Sequence, residues 1–157
     1  MLTEKDYCDY DTCVALKELG YNRGAYAYYF PNHKEDLIFN THPMRGCFIN
    51  EMVRGYNTYS ENTVGHELID APTMYEAQKW LREEEGLFVN VELFGDYDRD
   101  ADGKTLGIWV YYSYGILNTT TADFIREYDL CTEYQTYEEA LSEGIKKAVK
   151  ILKQEEE

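Results

Sequence analysis

Four aspartates alternate along one short segment, DYDRDADG, residues 96–103. Asp98, Asp100 and Asp102 match the first, third and fifth positions of an EF-hand calcium loop, and the closing glycine matches the sixth. Calcium takes about six to eight hard oxygen ligands, so alternate carboxylates on a turning backbone would supply several of them. Trp109 stands at the twelfth position, where the bidentate glutamate belongs, and the flanking sequence is typical of strands. We predict at most a weak calcium site here, the alternative being a solvated hairpin loop with an Asp-Gly turn.

A second set of possible metal ligands consists of two pairs with equal spacing, Cys8 with Cys13 and His42 with Cys47. Structural zinc sites take Cys and His ligands in closely spaced pairs. Cys8 and Cys13, however, flank a predicted helix start, and buried structural thiols are the alternative interpretation. A zinc-stabilised or calcium-stabilised module is therefore one hypothesis for this chain.

Signals for catalysis are weak in this sequence. His66-Glu67 opens the segment HELID, but Asp70 replaces the second histidine of the zinc-protease motif, which argues against a metalloprotease. No Ser or Cys nucleophile stands in a recognisable motif, and no glycine pattern typical of phosphate binding occurs. We therefore predict a protein that is not an enzyme and needs no cofactor.

Tyrosine is abundant, with 16 Tyr against six Phe. Strand alternation places Trp109 and Tyr111 on the face opposite Ile108 and Val110. If the helices cover the aliphatic face, these rings lie on the exposed side of the sheet, where aromatic rings with polar tips favour protein interfaces. The alternative is that tyrosine fills half-buried strand positions. The residues that we predict to bind a partner are Trp109, Tyr111, Tyr26 and Tyr28.

The charge of the chain is strongly negative, with 30 acidic and 15 basic side chains and a net charge of −15. A surface of this sign repels phosphate backbones, so we predict no direct nucleic-acid binding. An acidic protein that mimics nucleic acid, and so inhibits a DNA-binding or RNA-binding protein, is a further hypothesis. The sequence shows no long apolar run and no signal-peptide pattern, which predicts a cytoplasmic protein with reduced thiols and no membrane partner.

Three helices carry clear boundary signals, and they are predicted at about Tyr10–Leu19, Met74–Glu85 and Tyr137–Lys153. Asp9 is the predicted N-cap of the first helix, and a Thr with a Glu three residues later predicts a capping box before each of the other two. Alternating aliphatic residues predict strands over 87–94 and 106–112, joined as an antiparallel hairpin by the acidic loop. A second hairpin is predicted from 25–30 and 37–39, with His33 in its turn.

These elements predict an α+β fold, a single domain over residues 1–157 in which about three helices pack on one face of an antiparallel sheet. Residues 41–72 and 115–134 give no clear pattern.

Three segments carry a family resemblance: CDYDTCVALKELGY (8–21), APTMYEAQKWLREEEGLFVNV (71–91) and YQTYEEALSEGIKKAVKIL (134–152). In these segments the chain resembles a family of small proteins of unassigned function encoded by gut Bacteroidales and by their phages and prophages. The resemblance implies no activity and transfers no site residue. It implies a mobile-element protein that acts inside a bacterial cell, and residues 96–103 lie outside it. Our leading hypothesis is an accessory protein that binds a host or phage protein.

Overall fold

The computed structural model describes residues 2–39 and 68–155. In those residues, helices are combined with antiparallel sheets, which confirms the α+β prediction. The strands form two three-stranded sheets where the sequence predicted one. The chain divides into two compact units, Met1–Ala77 with Leu152–Glu157 and Gln78–Ile151, and each unit contains one of the sheets.

The helices have nearly the predicted bounds. The described α-helices are α1 (Tyr10–Glu18), α2 (Met74–Glu84) and α3 (Tyr137–Glu155). Each starts at the predicted residue and ends within two residues of the predicted end. A short 3₁₀ turn, Glu4–Asp6, precedes α1.

Side-chain caps explain why these starts were predictable. Asp9 Oδ1 accepts a backbone N–H of the first turn of α1 at 2.9 Å. Before α2, Thr73 Oγ1 accepts the Glu76 N–H at 3.2 Å, and Glu76 Oε2 accepts the Thr73 N–H at 2.8 Å. Thr136 and Glu139 make the same reciprocal pair before α3. These bonds satisfy N–H groups that have no partner inside a helix, so the local sequence determines where each helix begins.

The first unit contains the sheet of β1 (Ala27–Phe30), β2 (His33–Phe39) and β3 (Ile69–Ala71), in the order β2-β1-β3. Phe30 pairs with His33, so the turn between β1 and β2 is much shorter than predicted. The placement of His33 in the turn is wrong, because the residue begins β2. Leu16 of α1 is fully buried in this unit.

The second unit contains the sheet of β4 (Leu87–Arg99), β5 (Thr105–Asn118) and β6 (Phe124–Arg126), in the order β4-β5-β6. The β4–β5 hairpin has the predicted antiparallel pairing, but both strands continue well past their predicted ends. Directly opposite residues of such a pair have side chains on the same face. The face that α3 covers, the helix face, includes Val89, Val91, Leu93, Tyr97, Ile108, Val110, Tyr112 and Tyr114. The opposite face includes Asn90, Glu92, Phe94, Asp96, Trp109, Tyr111, Ser113 and Gly115.

Helix α3 covers only the part of the helix face that is remote from the hairpin turn. It approaches the sheet closely at Gly144, where a Cβ atom would overlap Val89 Cγ1 and would lie 3.1 Å from the Tyr114 ring. The first residue of the helix, Tyr137, meets the Tyr112 ring edge to face, with 6.2 Å between the centroids. The contacts of α3 with this face therefore begin at the level of Tyr112.

Residues 124–128 cover the same part of the opposite face. Phe124 and Tyr128 lie over Gly115, where an added Cβ would be 2.9 Å from the Phe124 ring and 3.3 Å from the Tyr128 ring. The Tyr128 ring also meets the Phe94 ring, with centroids 5.4 Å apart. Phe94 follows Leu93, the residue that pairs with Tyr112. The covers on the two faces thus end at nearly the same level of the hairpin.

Candidate functional site

The outer part of the β4–β5 hairpin, which we call the arm, consists of residues 93–99, the turn 100–104 and residues 105–111. At about 3.3 Å per residue its strands are on the order of 20 Å long. Every residue from Thr105 to Val110 is exposed, and among residues 93–99 all are exposed except Phe94, which is half-buried. Alternate side chains of a two-stranded ribbon point to opposite faces, so the arm presents both of its faces to solvent.

The helix face of the arm is apolar. The exposed side chains on it are Leu93, Tyr97, Ile108 and Val110, and Leu106 follows at the register shift near the turn; each of the five is more than half exposed. The alternating aliphatic residues of the two strands predicted one buried face, and for Leu93, Leu106, Ile108 and Val110 that prediction is wrong. The reason is that the hairpin extends beyond the first residue of α3.

The opposite face of the arm combines an exposed indole with carboxylates. Trp109 is 49% exposed and is directly opposite Asp96 in the strand pairing. The next position of this face pairs Asp98 with Gly107. A Cβ at Gly107 would have no atom within 4 Å, so the surface beside the indole is open. An exposed indole opposite Asp96 and diagonal to Asp98 is an arrangement suited to binding a cationic side chain.

Tyr111 lies on the predicted face, but the prediction that it is exposed is wrong. Only 8% of its surface is accessible. Its ring stacks on Phe94 with centroids 5.8 Å apart and 23° between the planes. Phe94 in turn contacts Tyr128, so residues 124–128 extend the cover of this face as far as Tyr111. Trp109, two residues closer to the turn, is beyond that cover.

The other predicted binding residues, Tyr26 and Tyr28, belong to the first unit. Tyr26 is 76% exposed, whereas Tyr28 is half-buried and meets Phe30 edge to face at 5.6 Å. The predicted residues therefore form two separate clusters along the chain, one in each unit. A role of Tyr26 and Tyr28 in partner binding stays a prediction.

The predicted calcium ligands have different structural positions. Asp98 is an exposed residue of β4, whereas Asp100 and Asp102 belong to the turn. Asp100 Oδ1 accepts the N–H of Asp102 at 3.0 Å and that of Lys104 at 2.8 Å, and Gly103 takes a positive φ of 80°. These features are those of the Asp-Gly hairpin turn, the alternative interpretation of the segment.

Over residues 2–39 and 68–155, no group of three or more His, Cys, Asp or Glu side chains is placed to hold a metal ion. Calcium binding by Asp98, Asp100 and Asp102 stays a prediction.

The cysteines of the predicted zinc site that the structure describes are buried thiols. Cys13 Sγ donates a hydrogen bond to the backbone oxygen of Cys8 at 3.4 Å. Burial raises the pKa of the Cys13 thiol far above its ordinary value, and the Cys8 thiol and nearby acids add to this effect. The thiol is therefore protonated at neutral pH, and zinc binding by Cys8, Cys13, His42 and Cys47 stays a prediction. His42, Cys47 and His66-Glu67 lie outside the described residues.

A polar cluster that the sequence analysis missed holds residues 124–128 against the opposite face. The Tyr128 hydroxyl donates to Glu92 Oε1 at 2.9 Å and accepts a hydrogen bond from Asn90 Nδ2. Asn90 also donates to Glu92 at 3.0 Å. Burial, assisted by the Glu92 carboxylate, raises the pKa of Tyr128 to about 12. The neutral phenol thus links residues 124–128 to β4 by hydrogen bonds. Because these segments are distant in sequence, no local sequence pattern indicates the contact.

No protein-family model, curated protein or solved structure matches this chain. The resemblance to small Bacteroidales and phage proteins stays a prediction. Among the described helices, none combines the length and apolarity that are needed to span a bilayer.

Proposed function

We propose that this chain is a non-enzymatic accessory protein that binds a host or phage protein through the opposite face of the arm. The observation that carries the proposal is the half-exposed indole of Trp109 on a hairpin that extends past its covers. Tryptophan is among the residues that contribute most to binding energy in protein interfaces. An exposed Trp109 would lose its remaining contact with water when a partner packs on it, and this burial favours binding.

The surroundings of Trp109 favour a partner with a basic side chain. A guanidinium or ammonium group over the indole would be attracted by the ring and by the carboxylates of Asp96 and Asp98. Gly107 leaves room for that group, because it adds no side chain beside the indole. The net charge of −15 would also accelerate the approach of a positively charged partner.

The cellular setting of the proposal comes from the resemblance. A protein related to those of Bacteroidales phages and prophages would act in the bacterial cytoplasm, on a protein of the host or of the phage. Binding of this kind needs neither a cofactor nor a catalytic group.

The first experiment is capture from a Bacteroidales lysate with nuclease present, at low and high salt, using the tagged chain and two variants. Trp109→Ala removes the indole. Tyr75→Ala is the matched control, because Tyr75 is 67% exposed on α2 and belongs to the first unit, whereas the arm belongs to the second. We expect one protein that the parent and the control retain at both salt concentrations and that Trp109→Ala loses. Thermal unfolding curves of all three proteins would establish that folding is unchanged.

The second experiment uses the purified partner. Loss of a central tryptophan contact raises Kd by about 30-fold or more. Asp96→Asn should mainly lower the association rate and reduce the dependence of that rate on salt. Equal binding by the parent and Trp109→Ala would contradict the proposal. Capture of a nucleic-acid-binding protein that is released by salt regardless of Trp109 would instead support the acidic mimic.

A further inference from the structure

The two faces of the arm differ sharply in charge. The helix face carries the apolar side chains of Leu93, Ile108 and Val110 together with Tyr97, and the exposed Leu106 follows them at the register shift near the turn. Asp96 and Asp98 project from the opposite face, and the remaining acids of the arm are in its turn. Arg99 lies beside the outer end of the helix face, with its guanidinium 6.0 Å from the centre of the Tyr97 ring. The helix face is therefore an apolar surface without a carboxylate.

We propose that the helix face of the arm is a homodimer interface, in which it packs against the same face of a second copy. The exposed side chains on this face are in line with the core residues Val89 and Tyr114, on the same side of the same strands. The helix face of the arm thus continues the core surface beyond Tyr137, the first residue of α3. A second sheet packed on it, about 10 Å away, would complete this core as in a β-sandwich.

The area of the face is adequate for such a dimer. Its four exposed side chains and the adjacent Leu106 present on the order of 600 Å² per copy, so the pair would bury roughly 1,200 Å², the lower end of the range for specific interfaces. A contiguous apolar patch of this size is large for the surface of a monomer.

Charge favours a second copy as the occupant. A chain with a net charge of −15 associates with itself only if the contact keeps the carboxylates of the two copies apart. When the helix faces of two copies pack together, the carboxylates stay apart, because Asp96 and Asp98 point outward on both arms. A twofold axis also pairs each apolar surface with an identical one, and homodimer interfaces are more apolar than interfaces between different proteins.

This inference concerns the other face of the hairpin from the one proposed to bind a partner. It is independent of that proposal, and each of the two can fail alone. In a dimer of this kind, the two Trp109 side chains would remain exposed on its outer surfaces and able to bind two partner molecules.

The test is sedimentation equilibrium of the full chain from about 1 to 100 µM in about 0.15 M salt, which screens the repulsion between copies. We expect a mass of twice 18.4 kDa at the upper concentrations. Ile108→Asp places a carboxylate in the centre of the interface, twice per dimer, and should raise the dimer dissociation constant by at least about 100-fold. Trp109→Ala, at the neighbouring position on the opposite face, is the matched control and should leave the dimer intact.

A second variant separates weakened association from poor folding. Ile108→Thr with Val110→Thr keeps β-branched residues in the strand while it removes apolar surface, and it should raise the dissociation constant by about 10-fold or more. A parent chain that is monomeric over the whole concentration range overturns the proposal. So does a dimer that is unaffected by both Ile108 variants, because its interface would then be elsewhere. Partner capture by the monomeric Ile108→Asp variant reports on the proposed function separately.

Discussion

Gly144→Ala tests the close contact by which α3 covers the β4–β5 sheet. The added Cβ would overlap Val89 Cγ1 and approach the Tyr114 ring to 3.1 Å. Val89 is fully buried and its β-branched side chain has little rotational freedom, while Tyr114 is only 6% exposed. Neither neighbour can move aside without disturbing the core, so α3 must shift away from the sheet.

Two opposing contributions determine the size of the effect. Alanine is favoured over glycine in the interior of a helix by about 1 kcal/mol. Overpacking of a well-filled core costs about 1–3 kcal/mol, and the upper end applies because Val89 and Tyr114 are both buried. The expected net loss in the free energy of unfolding is therefore about 2 kcal/mol. For a chain of 157 residues, this lowers the Tm by roughly 4–8 °C.

Urea unfolding followed by circular dichroism measures the change, and a double-mutant cycle with Val89→Ala identifies its cause. Val89→Ala removes the methyl group that the new Cβ would overlap, so the double variant should be at least about 1 kcal/mol more stable than the sum of the single effects predicts. Gly107→Ala is the matched control, because a Cβ there has no atom within 4 Å, and its stability should be equal or slightly higher. A stabilising Gly144→Ala, or an additive cycle, would refute the packing of α3 derived from this structure.

Three further predictions concern a helix cap, a half-buried phenol and the core. Thr73→Ala removes one half of the capping box with Glu76 and should lower the free energy of unfolding by about 1 kcal/mol in urea titrations; an unchanged midpoint would contradict the role of the cap. Tyr128→Phe removes the hydrogen bond to Glu92, so it should be less stable than the parent at pH 7. In the folded chain the pKa of Tyr128 is raised from 10.0 to about 12, so between pH 10 and pH 12 the phenol ionises first in the unfolded chain and the parent loses stability. The difference in the free energy of unfolding between the parent and Tyr128→Phe should therefore narrow over this pH range, and a constant difference would contradict the raised pKa. Leu16→Ala creates a cavity at a fully buried position and should cost about 2–5 kcal/mol by urea unfolding, whereas a loss below 1 kcal/mol would place Leu16 outside the core.

The local sequence was sufficient to predict the helices. Asp9, Thr73 and Thr136 cap backbone groups within a few residues of themselves, so the starts of α1, α2 and α3 are encoded where they occur. Alternation likewise assigned Trp109 and Tyr111 to one face of β5 and Ile108 to the other, because successive side chains of a strand point in opposite directions. The sequence by itself thus determined where the helices begin and which side chains of the hairpin share a face.

Only the tertiary structure decided which parts of each face are buried. Tyr111 and Trp109 share a face, yet Tyr111 is buried and Trp109 is half exposed, because the cover by residues 124–128 ends between them. On the helix face, Tyr114 is buried beneath α3, whereas Ile108 lies beyond the first residue of that helix and is exposed. The segments that cover the two faces are distant from them along the chain. Alternation indicates the direction of a side chain but not what packs against it. Burial is a property of such long-range packing, and for that reason the exposed arm became visible only in the folded structure.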